Sequence, residues 1–163
     1  MTKTGTEGEF GVSARQGALL AIENFEKTNS ASSPFLVELE SRETGAKKTG
    51  IEKVIRDFAK DAEVIAVIGE VSSERSNWAA AVAQEAGLPM VSPASTNPNV
   101  TERGSFIFRA CYIDPFQGSA MARFAFHDLK ISRVAILRHD KSNYSLGLSE
   151  YFSDRFIREG GKV

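Results

Sequence analysis

The chain has 163 residues, 42% of them hydrophobic and 25% charged, which is the make-up of a soluble globular protein of one domain or two small pieces, long enough to bury a core. Its 20 Lys and Arg nearly balance its 21 Asp and Glu, with no run of like charge, which argues against nucleic acid or an anionic membrane as partner. The single cysteine, Cys111, excludes an internal disulfide and a cysteine-built zinc site, and reads as a buried structural thiol.

Residues 1–11 are polar and glycine-rich, not basic and then apolar, so this chain contains neither a signal peptide nor a membrane span; an exported protein would have had its targeting segment removed. Ser13 can cap a helix with Leu19, Leu20, Ile22 and Phe25 near helical spacing, ending at Asn29 and Ser30. Pro34 to Glu40 alternates apolar and polar as a half-buried strand does. A second helix over about 46–60 carries Ile51, Val54, Ile55 and Phe58 on one stripe and leads to the β-branched run 64–68 (VIAVI), a buried parallel strand.

Gly69 ends that strand, Ser72 or Ser73 caps the next helix, and Gly87 stops it. A strand over 88–91 follows, then a long loop rich in Pro and Asn, then a strand over 106–109. Asp114, Pro115 and Gln117 read as N-cap, first-turn proline and capping-box partner of a helix to about Leu129. Residues 133–137 (RVAIL) read as another buried strand and 147–159 as a final helix stopped by Gly160 and Gly161. Strands alternating with helices predict an α/β fold with a parallel sheet, and such folds bind ligands beyond the carboxyl ends of the strands.

Three loops therefore carry the functional argument. The loop after VIAVI (Gly69, Glu70, Val71, Ser72, Ser73) runs into a helix whose free N–H groups suit an anion, although the serines can equally be plain caps. The loop after LPMV (SPASTNP) is stiffened by two prolines and offers a carbonyl at Ala94 and a hydroxyl at Thr96; a rigid turn without a ligand reads equally well. The loop after RVAIL carries Tyr144, which alone is as consistent with a packed surface aromatic.

The strings IGEVSSERS, AGLPMVSPASTNPNVTERG, FIFRACYIDPFQG and VAILRHDKSNYSLGL, in this order and spacing, resemble the leucine/isoleucine/valine-binding protein family of type I periplasmic solute-binding proteins, from about Gly11 to Val163. The resemblance implies a doubly wound parallel sheet in a Rossmann-like lobe, two lobes closing on a free amino acid, and an ABC permease that receives it. It implies no cofactor and no catalysis. By the family's organisation residues 1–112 form the first lobe and 113–163 open the second. The resemblance gives Ser73 the ligand carboxylate, assisted by the Thr96 hydroxyl and main chain, and Ala94 the ammonium through its backbone carbonyl, with Thr96 placed to contact either group. Ser95 and Thr96 lie on the same gripping loop, Tyr144 closes from the second lobe, and Phe10 lines the side-chain pocket. Periplasmic or extracellular placement follows.

The family also has a central first strand, a much longer second lobe and an acidic ammonium partner there, none of which matches this chain. Without that strand, VIAVI and PFLVELE are expected to leave unpaired backbone groups, so the isolated chain should re-pair strands, oligomerise through exposed edges or be marginally stable. Glu40-Ser41-Arg42, Glu74, Arg75 and Phe10 depart from common family residues and leave the ligand's side chain open. An amino-acid-sensing receptor ectodomain of the same fold is the first alternative. A hydrolytic α/β enzyme built on His139 and Asp140 is the second, against which stands the lack of any G-x-S-x-G, metal or phosphate-loop motif. His139 reads as a solvated loop residue and His127 as structural.

Overall fold

A computed structural model describes residues 8–29 and 36–163. Helix α1 spans Gly8–Asn29 and begins before the Ser13 cap expected from sequence. The first turn starts on the polar glycine-rich segment, with Glu9 complementing the positive helix end. Helix α2 covers Lys48–Ala59 and buries Ile51 and Ile55, the apolar stripe that the 3.6-residue period defines. Strand β1 (Val67–Ile68), helix α3 (Ser73–Ala86), strand β2 (Met90–Ser92), a 3-10 helix (Pro98–Arg103) and strand β3 (Ile107–Arg109) complete the first half.

The three strands pair in parallel in the order β1-β2-β3. Register places Val67, Met90 and Ile107 side by side on the face covered by α2 and α3, where Ala79, Ala80, Val82 and Ala83 complete the core. Ile68, Val91 and Phe108 line up on the opposite face, where Ile68 and Phe108 remain exposed. The alanine face of α3 lets the helix approach Met90 closely, and Gly87, at φ 66°, ends it in the left-handed conformation that a residue without Cβ adopts readily.

Helix α4 spans Asp114–Arg123 and runs through a π-helical turn (Phe124–Asp128), close to the expected end at Leu129. Helix α5 spans Asn143–Arg158, one turn longer at its start than expected, because Ser142 caps it by accepting from the N–H of Ser145. The two helices pack tightly where α4 has no side chain: a Cβ on Gly118 would lie 2.8 Å from Phe152 N and Tyr151 Cβ. Phe156 is fully buried behind them, stacked on Phe152 and edge-on to Phe126.

Two expected strands are not found among the described residues. Pro34 and Phe35 lie outside the described residues, and 36–40 has no ladder partner among those described. A strand exists only through a neighbour, and among the described residues β1 has none on its outer side. RVAIL makes a single parallel bridge, Arg133 with Lys162, and Leu137 is fully exposed. Val134 and Ile136 are half-buried while Ala135 and Leu137 are exposed, so the run is half-covered, not a buried strand. The stretch read as a long loop after Pro98 winds instead into the 3-10 helix, capped by the Asn97 side chain, which accepts from Asn99 N.

Candidate functional site

The loops after β1 and β2 meet at the carboxyl edge of the sheet, joined by a buried serine cluster. Ser76, one turn into α3, donates to the Glu70 carbonyl at 2.8 Å, and Ser92 at the end of β2 donates to the same oxygen at 2.8 Å. Ser95 donates to the Val71 carbonyl at 3.0 Å and lies 2.6 Å from Ser76 Oγ. Ser76, Ser92 and Ser95 are all fully buried, so their hydroxyls hold one loop against the other in a low-dielectric interior where such bonds are costly to lose.

Two charged groups brace the assembly from outside. Arg109, at the end of β3, donates through Nη1 to the carbonyls of Ser95 (2.9 Å) and Asn97 (2.8 Å), and through Nη2 to Pro98 O (2.9 Å) and Thr101 Oγ1 (2.5 Å). Its planar fork thereby fixes the loop's backbone from beneath. Arg75 pairs with Glu70 at 3.1 Å and also donates to Thr44 Oγ1 and Gly45 O, tying the segment before α2 to the same edge. Both members of the pair are buried, and the Thr44 hydroxyl completes it by donating to Glu70 at 2.6 Å.

Against this frame, Ser73 Oγ accepts from the N–H of Asn97 at 3.2 Å. The hydroxyl proton of Ser73 remains available to an acceptor. Ser72 holds the N-cap position of α3 without a side-chain cap bond, and the helix start carries the positive end of the helix dipole. Thr96 is buried beside it, and its carbonyl accepts from Asp114 N at 2.9 Å. Asp114 does not cap α4 as its position in the sequence suggested: Ile113 is the N-cap, and neither Asp114 oxygen has an aligned donor. Burial pushes its carboxyl above the ordinary carboxylate range, opposed by the nearby Thr96 side chain and the Arg109 charge.

The structure brings together Ser73, Ser95 and Thr96 in one polar corner. Ser95 points inward as a brace, and Ala94 stands exposed at the tip of the same loop. Tyr144 sits in the first turn of α5 and lines a depression with Met121, Val134, Ile136, Leu148 and Phe152, apart from that corner. Phe10 lies exposed in the first turn of α1. Cys111 is only half-buried, contrary to the expectation of a buried thiol, because it lies on the segment between β3 and α4; its partial burial still raises the thiol's pKa. Arg109, Ser76 and the Glu70–Arg75 pair escaped the sequence reading. The Ser73/Ser76 spacing of one helical turn and the arginine at the strand end were the only signals for them.

Over residues 1–163 the chain matches the profile of the periplasmic binding protein family. It belongs to that family. A leucine binding protein from Thermotoga maritima is 38% identical, with TM-score 0.87 over 99% of this chain and 45% of its own. A substrate-binding protein of an ABC transporter from Desulfitobacterium hafniense, in complex with Leu, is 28% identical, with TM-score 0.82 over 92% of this chain and 44% of its own. The Leu/Ile/Val-binding protein homolog 3 of Brucella melitensis is 30% identical over 97% of this chain and 42% of its own length. The chain thus spans 39 to 42% of the first curated relatives it matches. Periplasmic binding proteins are solute binders, not an enzyme family, and they share the α/β fold with a parallel sheet found here. No helix among the described residues is long and apolar enough to cross a membrane.

Proposed function

We propose that this chain supplies the first lobe (1–112) and the opening of the second (113–163) of the extracytoplasmic substrate-binding component of an ABC importer for branched-chain or related amino acids. The zwitterion lies in the cleft between the lobes, with its carboxylate at Ser73 and the uncapped start of α3. Its ammonium faces the Ala94 carbonyl, Thr96 contacts either charged group, Tyr144 closes over the ligand from the second lobe, and Phe10 lines the side-chain pocket. Permease subunits receive the amino acid on the periplasmic or extracellular side, and no chemistry is performed on it.

The observation that carries this reading is the meeting of an uncapped helix N-terminus with a loop braced at four points, joined by the 3.2 Å bond from Asn97 N to Ser73 Oγ. A zwitterion needs an anion site and carbonyl acceptors a few ångströms apart, held in place so that little ordering remains to be done on binding. The leucine-bound relative from Desulfitobacterium hafniense adds support from outside the geometry.

Calorimetry with Leu, Ile, Val and Phe, on the longest natural chain that contains this sequence, tests the reading. Ser73→Ala removes one charge-assisted hydrogen bond, about 1.5–3 kcal/mol, and should weaken binding about tenfold or more. A parent that binds no amino acid, or a Ser73→Ala variant of unchanged affinity, refutes the site.

A further inference from the structure

We propose that Asn97 is a positioning residue that joins the two halves of the amino-acid site: its backbone holds the Ser73 corner while its side-chain amide anchors the first turn of α5, which carries Tyr144. The inference deepens the amino-acid reading above and rests on it and on its division into lobes.

Each polar group of Asn97 has a partner, and the partners lie on separate elements. The backbone N–H donates to Ser73 Oγ on α3 at 3.2 Å, and the backbone carbonyl accepts from Arg109 Nη1 on β3 at 2.8 Å. Side-chain Oδ1 accepts from Asn99 N at 3.0 Å, starting the 3-10 helix, and Nδ2 donates to the Asn143 carbonyl at 3.0 Å. These partners fix which way the amide points, because an N–H requires its oxygen and a carbonyl requires its NH2. Asn97 is buried, where a polar group stripped of its partner costs more than at the surface. Asn143 is the first residue of α5, directly before Tyr144. The helix comes close enough for this bond because residue 147 is glycine: an added Cβ there would lie 3.1 Å from Asn97 Nδ2. Among the described residues, only the bond to Asn143 carries Asn97 from 1–112 into the segment that opens the second lobe. A ligand held between Ser73 and Tyr144 therefore tightens this tie by as much as the tie strengthens the ligand.

A double-mutant cycle read by leucine titration on the longest natural chain tests this. Asn97→Asp keeps the shape and the acceptor for Asn99 but has no NH2 for Asn143, and Asn97→Ser keeps a capping oxygen without adding a charge. Each should weaken leucine about tenfold in the parent and less than about twofold when Tyr144→Ala is already present. Equal losses in both backgrounds, or no loss in the parent, overturn the inference and leave the amino-acid reading intact; a parent that binds no amino acid sinks both.

Should neither variant fold, hydrogen exchange of the Asn97 side-chain amide in the parent decides. Coupling is reciprocal, so leucine should slow that exchange about tenfold, and exchange indifferent to leucine overturns the assignment.

Discussion

Replacing Arg109 by methionine keeps most of the buried stem and removes the fork beneath the gripping loop. Three backbone carbonyls, at Ser95, Asn97 and Pro98, and the Thr101 hydroxyl lose their donor. Arg109 is half-buried, so water can re-solvate part of what is lost. Taking the low end of the charge-assisted range, about 1.5 kcal/mol for each guanidinium nitrogen, Arg109→Met should cost about 3 kcal/mol. For a chain of this size that is a fall of roughly 6–12 °C in Tm, or about 1–2 M in the urea midpoint. Arg109→Lys keeps the charge but cannot bridge the carbonyls, and should recover less than half of the loss. Urea unfolding followed by circular dichroism, with hydrogen exchange of the 95–101 amides alongside, reads both effects. If both variants unfold within about 0.5 kcal/mol of the parent, the loop is held by its prolines and not by Arg109, and the reasoning fails.

Ser95→Ala removes the inward brace between the two loops, leaves the Val71 carbonyl short of a donor, and should cost about 1–3 kcal/mol in chemical denaturation. Asp114→Asn takes away a buried charge whose folded pKa is raised, so the native carboxyl destabilises the fold once pH passes the ordinary value of 3.8. The variant should therefore melt higher than the parent at neutral pH, with the gain fading as pH falls below that value; a gain unchanged by pH would show that ionisation is not involved. Gly118→Ala places a Cβ 2.8 Å from the α5 backbone, and should lower stability by about 1–3 kcal/mol in thermal melts despite alanine's better helix propensity.

The element order and the approximate place of the site were legible in the residues. Ile51 and Ile55 declare the buried stripe of α2, Gly87 the end of α3, and SPASTNP the braced loop, because each is a local property of spacing or backbone preference. Two strands were misread for the same reason: PFLVELE and RVAIL have the pattern of strands, but pattern cannot supply the neighbour that a strand requires. The role of each polar residue was decided by the tertiary structure alone. Ser76, Ser92 and Ser95 converge on two carbonyls from three separate segments, and Arg109 reaches four acceptors across a loop. Asp114, whose place at a helix start suggested a cap, is instead sealed between Thr96 and Gly147. Hydrophobic period records which face of an element is buried, whereas hydrogen bonding depends on which distant atoms come within about 3 Å, and only the packed chain sets that distance.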